Sequence, residues 1–203
     1  MRAQLLAAAL AVHFLKRVLE KIIAQLQRQI FFPMSLSPRS SVAVLFVHQY
    51  SGSMPLTTAA TISSSYFLIT AAMLYAQHLA AGLPDPPVDL DLLYPGVAAF
   101  AVGIAGNFYH HFLLSQLRTT TAKTKEYRIP TGGLFALVAC PHYLFEIVGF
   151  FGFAMIAQTV HALAVAAGAA AYLAGRSCAT RRWYESKFED FPASVKALVP
   201  YIL

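Results

Sequence analysis

Residues 132–157 read GGLFALVACPHYLFEIVGFFGFAMIA, an apolar run broken at its middle by CPHYLFE, residues 140–146. Crossing about 30 Å of hydrocarbon takes roughly 20 helical residues, so the run is long enough to span a bilayer. The proline, histidine, tyrosine and glutamate inside it need a separate reason. Charged side chains at membrane depth are unfavourable by roughly 2.5–3.5 kcal/mol on insertion scales, so residues of this kind usually face a protein interior and serve a function. Pro141 lacks a backbone N–H, so the helix is expected to restart or kink there. His142 and Glu146 stand four residues apart and share one helical face.

The rest of the chain is similarly apolar. Of its 203 residues, 58% are hydrophobic and 12% charged, with a mean hydropathy of +0.58. That balance points to a membrane protein. Segments 57–81, 95–117, 134–157 and 160–174 are expected to be membrane helices, and 3–15 to continue into the amphipathic VLEKIIAQLQ. The first segment could pass for a signal peptide, but Lys16 and Arg17 lie after its apolar run and no small-residue cleavage site follows. Residues 21–43 contain Pro33 and Pro38 and mix polar with apolar residues, which suggests an interfacial helix followed by a loop.

The net charge of +6 collects at the ends of apolar segments. The clusters are Lys16 with Arg17; Arg118 with Lys123, Lys125 and Arg128; and Arg176, Arg181, Arg182 and Lys187. Between them AGLPDPPVDLDLLYPG, residues 81–96, carries three aspartates and no lysine or arginine. Positive-inside topology explains this pattern and puts the acidic loop on the far side of the membrane. A nucleic-acid partner would require a basic face on a soluble surface, so none is expected. Cys140 and Cys178 fall in or beside apolar helices and read as packing residues rather than a disulfide.

A second polar group lies in GNFYHHFLLSQLR, residues 106–118, where Asn107, His111 and Arg118 fall near one helical face. His110 and His161 read as hydrogen-bonded interface residues. A metal site from His142 and Glu146 with His110 or His111 lacks the dense ligand cluster such sites show, and none is expected. There is no Gly-x-Ser-x-Gly element for a serine nucleophile, and Phe150, Phe151 and Phe153 read as core or lipid contacts. Thr131, Gly132 and Gly133 predict a tight turn whose following helix N-terminus could hold a phosphate, flanked by Arg118 and Arg128. Arginine-rich loops at polar helix ends suit an anionic ligand such as a nucleotide, a CoA thioester or a lipid head group, or else simply set topology.

GNFYHHFLLSQLR, YRIPTGGLFALVACPHYLFE and WYESKFEDFPASVKALVPYIL together resemble the C-terminal domain of the steroid 5α-reductase family, which includes very-long-chain enoyl-CoA reductases and polyprenol reductases. VHFLKRVLE and LFVHQYSGSMPL look most like the enoyl-CoA reductase branch, and the resemblance covers most of residues 11–20 and 44–203. It implies an all-α, multi-pass bundle of about four to six transmembrane helices in the endoplasmic reticulum membrane, with cytosolic cofactor-binding loops. The implied activity is NADPH-dependent reduction of a carbon–carbon double bond conjugated to a carbonyl. The implied partners are a lipid substrate, either a trans-2-enoyl-CoA or a 3-oxo-Δ4 steroid, membrane lipids and other fatty-acid elongation subunits.

By the same resemblance the cofactor positions are Asn107, His111, Arg118, Tyr127, Arg128, His142, Glu146, Arg182 and Tyr184. His111 and His142 stand where the steroid-reducing branch has Asp and Asn. Phe14 stands where the family has a tyrosine associated with carbonyl polarisation, which leaves His13 as the catalytic candidate. Residues 21–43 intervene where the family runs almost directly on. The expected organisation is therefore an N-terminal membrane helix over 1–20, the remnant of a larger part, then an inserted segment over 21–43 and a C-terminal membrane domain over 44–203. A truncated or spliced product keeping the cofactor half is the corresponding expectation. Two other readings remain open at this point. One is a scaffold or regulatory subunit without turnover; the other is an enzyme resembling isoprenylcysteine methyltransferases.

Overall fold

The computed structural model describes the backbone of residues 1–31, 56–83, 90–121 and 128–203, with side chains described for 1–17, 60–61, 64–83, 90–117 and 128–203. Among the described residues there are five α-helices and no strand. They are α1 (Arg2–Phe31), α2 (Leu56–Ala80), α3 (Leu93–Thr121), α4 (Pro141–Ala157) and α5 (Val160–Lys187). The described residues form the expected all-α class. The stretches Leu93–Leu117 and Val160–Lys187 are long and apolar enough to cross a membrane. The helix α1 runs unbroken past residue 20, and the remainder of the 21–43 segment lies outside the described residues.

Two expected boundaries are corrected. The helix foreseen over 134–157 begins only at Pro141, preceded by a short 3-10 turn, Gly133–Ala136. Proline is suited to the first helical position and pushes the residue before it out of the helical region, and Cys140 is accordingly at φ −129°, ψ 60°. The backbone of 137–140 is held instead by the chain's last residues. Ala139 N–H donates to Lys196 O at 2.8 Å, Lys196 N–H to Leu137 O at 2.9 Å, and Cys140 N–H to Ala197 O at 3.2 Å. The helix foreseen to end at 174 continues to Lys187, so the arginine-rich segment is helical.

The tightest packing joins α3 to α4 through glycines. A Cβ added at Gly103 would lie 2.5 Å from Gly149 N, and one at Gly152 would lie 2.6 Å from Phe100 N. Small residues of this kind let helix backbones approach where lipid offers no hydrophobic drive for association. Antiparallel to α4, α1 adds Leu6 and Leu10 to a core with Met73 of α2 and with Phe153 and Ile156 of α4. At the α4–α5 turn, Arg2 donates to Ile156 O and Gln158 and pairs with Asp91 at 2.7 Å. This places Arg2, a cation outside the basic clusters, beside the acidic segment. Phe153 is fully buried, Phe150 packs against it and Phe151 is exposed, as their reading as core or lipid contacts requires.

Cys140 is buried with Ala139 and Val195 under Tyr143, Tyr184 and Phe191. Cys178 is only half-buried, and both thiols are free. Because reaction at Cys140 requires the tail to open, N-ethylmaleimide should modify Cys178 on the order of tenfold faster in the native protein. Peptide mass spectrometry over a labelling time course reads the ratio. Equal rates would mean that the tail does not cover Cys140.

Candidate functional site

The polar residues of three helices meet at the end of the bundle where α4 begins. Asn107 sits on the buried face of α3, and its Nδ2 donates to His142 O at 2.8 Å while its Oδ1 accepts from Lys16 of α1. His111, one turn further along α3, brings its ring centroid to 5.0 Å from that of His142. Glu146, one turn along α4 from His142, forms an ion pair through Oε1 with Arg17. Its Oε2 is buried and has no hydrogen-bond partner among the described residues. Buried polar atoms are rarely left so, and one that is calls for an explanation such as a ligand.

The fold thus brings Asn107, His111, His142 and Glu146 close together at one end of the bundle. His13 lies one helical turn before Arg17, in a box of rings formed by Phe14, Phe150 and Phe153 at centroid distances of 4.9, 5.4 and 5.6 Å. Phe150 in turn lies one turn beyond Glu146, so His13 stands about one turn deeper in the bundle than the ion pair. The ring of Phe14 turns to Tyr66 of α2.

Of the remaining expected cofactor residues, Arg128, Arg182 and Tyr184 have described side chains. Arg118 is in the last turns of α3 with its side chain outside the described residues, where Tyr127 also lies. Arg128 and Arg182 are exposed. Tyr184 stacks on Phe191 at 5.5 Å and on Phe188 at 6.1 Å. Its neighbour Arg181 is a tail anchor instead, donating from Nε to Val195 O at 2.8 Å and pairing with Glu185 at 2.7 Å.

His110 is the hydrogen-bonded interface residue that its position suggested. Gly106 O can only accept and Leu134 N–H can only donate, so Nδ1 carries the proton at 2.7 Å from the first and Nε2 accepts from the second at 3.1 Å. This corrects the phosphate reading of the 131–133 turn. The turn exists, with Gly132 at φ 88° and Gly133 at φ 51°, but it opens a 3-10 turn. Leu134 N–H is taken by His110, and Phe135 N–H by Gly132 O. Gly133 is also required for space, because a Cβ there would lie 2.7 Å from His110 Nε2.

Lys16 and Arg17 are what reading the sequence missed, since as a basic pair at the end of an apolar run they looked like topology charges. Both are half-buried and turned into the bundle. A signal was present, because Arg17 is four residues from His13 and so shares the face given to catalysis.

Residues 52–203 match the family described as 3-oxo-5-alpha-steroid 4-dehydrogenase. Among curated relatives, a 3-oxo-5-alpha-steroid 4-dehydrogenase 2 from Macaca fascicularis is 39% identical over 107 residues, covering 53% of this chain and 41% of that protein. A very-long-chain enoyl-CoA reductase from Dictyostelium discoideum is 32% identical over 161 residues, 78% of this chain and 52% of that protein. A probable very-long-chain enoyl-CoA reductase from Caenorhabditis elegans is 32% identical over 166 residues, with coverage of 78% and 53%. The chain spans about half the length of the curated relatives it matches.

Proposed function

The chain belongs to the steroid 5α-reductase family, and from that premise we propose that it reduces a carbon–carbon double bond conjugated to a carbonyl in a lipid, using NADPH. The substrate classes are a trans-2-enoyl-CoA or a 3-oxo-Δ4 steroid. The observation that carries the reading is the buried, unpartnered Oε2 of Glu146 beside the His111–His142 pair. An acceptor so placed fits the carboxamide N–H of a nicotinamide. Asn107, His111, His142 and Glu146 would hold that half of the cofactor, while Arg118, Tyr127, Arg128, Arg182 and Tyr184 would receive its phosphates and adenosine.

The chemistry the cofactor supplies when bound is a hydride for the β-carbon of the conjugated system. Negative charge then gathers on the substrate carbonyl oxygen, and a donor aimed at that oxygen lowers the barrier. Phe14 has no donor to offer. His13 does, and the aromatic box around it would exclude water from the reacting carbonyl. In this reading residues 44–203 are the cofactor-binding membrane domain of a multi-pass protein of the endoplasmic reticulum, with four to six spans and the basic loops cytosolic. Other fatty-acid elongation subunits are its proposed neighbours.

A scaffold without turnover is the second reading, favoured by Phe14, whose ring packs on Tyr66. Titration of the detergent-solubilised chain with NADPH, followed by cofactor fluorescence, tests the main reading. Wild type should bind, and Arg118→Ala and Glu146→Gln should each lose at least about tenfold in affinity, or about 1.4 kcal/mol. Absence of binding by wild type would sink the reductase, and binding of S-adenosylmethionine in its place would favour the methyltransferase-like enzyme. Cofactor binding without turnover on enoyl-CoAs and enones would favour the scaffold.

A further inference from the structure

Two consecutive cations of α1 reach two different helices. Lys16 donates to Asn107 Oδ1 on α3, and Arg17 pairs with Glu146 Oε1 on α4. Successive helical residues point about 100° apart, so α1 lies along the groove between α3 and α4 with one cation turned to each wall. The Arg17–Glu146 pair is withdrawn from water on both sides, its side chains being 14% and 7% exposed. A buried pair of this kind is weak evidence of a role in stability, because removing two charges from water offsets their attraction.

The carboxylate shows what the pair does locally. An ionised carboxylate has about four lone-pair sites, and a guanidinium donates in a fixed planar fork. Arg17 engages one oxygen and so limits rotation about the last side-chain torsion, which for glutamate is otherwise broad. The other oxygen, Oε2, is left buried with no partner among the described residues.

We propose that Arg17 is a positioning residue for cofactor recognition: its guanidinium clamps Glu146 so that Oε2 stands as a fixed acceptor for the carboxamide N–H of the nicotinamide. The inference rests on the reductase reading, which identifies the donor as a carboxamide. Lys16 steadies the neighbouring wall in the same way, since Asn107 is held at both ends of its amide. The helix α1 thereby contributes to cofactor recognition through residues that need not touch the cofactor.

The test compares two ligands on the purified full chain in detergent. One is NADPH, and the other is its reduced 3-acetylpyridine analogue, which keeps the phosphates and the ring but has a methyl where the carboxamide has its NH2. Wild type is expected to bind NADPH about tenfold more tightly than the analogue, the scale of one hydrogen bond to a charged group. In Arg17→Met the preference should fall to within about twofold because NADPH alone weakens, and Arg17→Lys, which keeps the charge without the fork, should be intermediate at about threefold.

General damage weakens both ligands alike, so the ratio isolates positioning from structure. Retention of the full preference in Arg17→Met, parallel weakening of both ligands, or equal binding of both by wild type overturns the inference while cofactor binding stands. A wild type that binds neither ligand overturns the reductase reading, and this inference with it. Should Arg17→Met fail to fold, Arg17→Lys carries the test, and an unchanged preference in that variant overturns the proposal.

Discussion

Gly103→Leu is expected to prevent recovery of a folded bundle. A Cβ at position 103 would fall 2.5 Å from Gly149 N, 2.7 Å from Gly149 Cα and 2.8 Å from Phe145 O, all backbone atoms that cannot turn aside as a side chain would. Overpacking costs about 1–3 kcal/mol where side chains can yield. Here the helices themselves must separate, and the contacts at Gly96 and Gly152 open with them. The effect should therefore reach the top of that range or exceed it. Since Asn107 follows on α3 and Glu146 precedes Gly149 on α4, cofactor binding is lost in the same step. Size-exclusion chromatography after detergent extraction reads the outcome, with Gly168→Leu as control, because a Cβ at Gly168 meets nothing within 4 Å. A monodisperse Gly103→Leu protein would mean that α3 and α4 do not meet along this seam.

Glu146→Ala should destabilise the protein by about 3–5 kcal/mol, the usual consequence of leaving one member of a buried ion pair without its partner. Arg17 loses its carboxylate partner in a position largely withdrawn from water. The double variant Arg17→Met with Glu146→Leu should recover most of the loss, because an apolar pair of similar volume needs no compensation for charge burial. Unfolding by sodium dodecyl sulfate titration, followed by far-UV circular dichroism, measures the series. A double variant no more stable than Glu146→Ala would show that the two side chains are not coupled. Both variants should bind NADPH at least about tenfold more weakly than wild type, so stability and recognition separate at this one position.

Composition and spacing exposed the helices, because apolar length is a property of contiguous sequence. Pro141 marked the start of α4, since a missing N–H acts locally. The same local logic put Asn107 with His111, and His142 with Glu146, on shared helical faces and gave His110 its interface role. Spacing along a helix says which residues share a face but not which other helix that face meets. Lys16 with Asn107 and Arg17 with Glu146 join residues far apart in the chain, so their pairing depended on the groove between α3 and α4. That groove depends in turn on where glycines let the backbones close. The 134–140 segment was misread for a related reason. It is apolar enough for a helix, yet its backbone is paired with residues 196–197, which no local pattern could announce.

That pairing also bears on biosynthesis. A ribosome produces α1 to α5 before it produces Lys196 and Ala197, so a nascent chain can have all five helices in place while the approach to α4 still lacks its hydrogen-bonded support. Through Val138 and Lys196 a segment made after these helices is joined to the approach to α4. Cofactor recognition should then be acquired late and all at once, after the helices have already assembled.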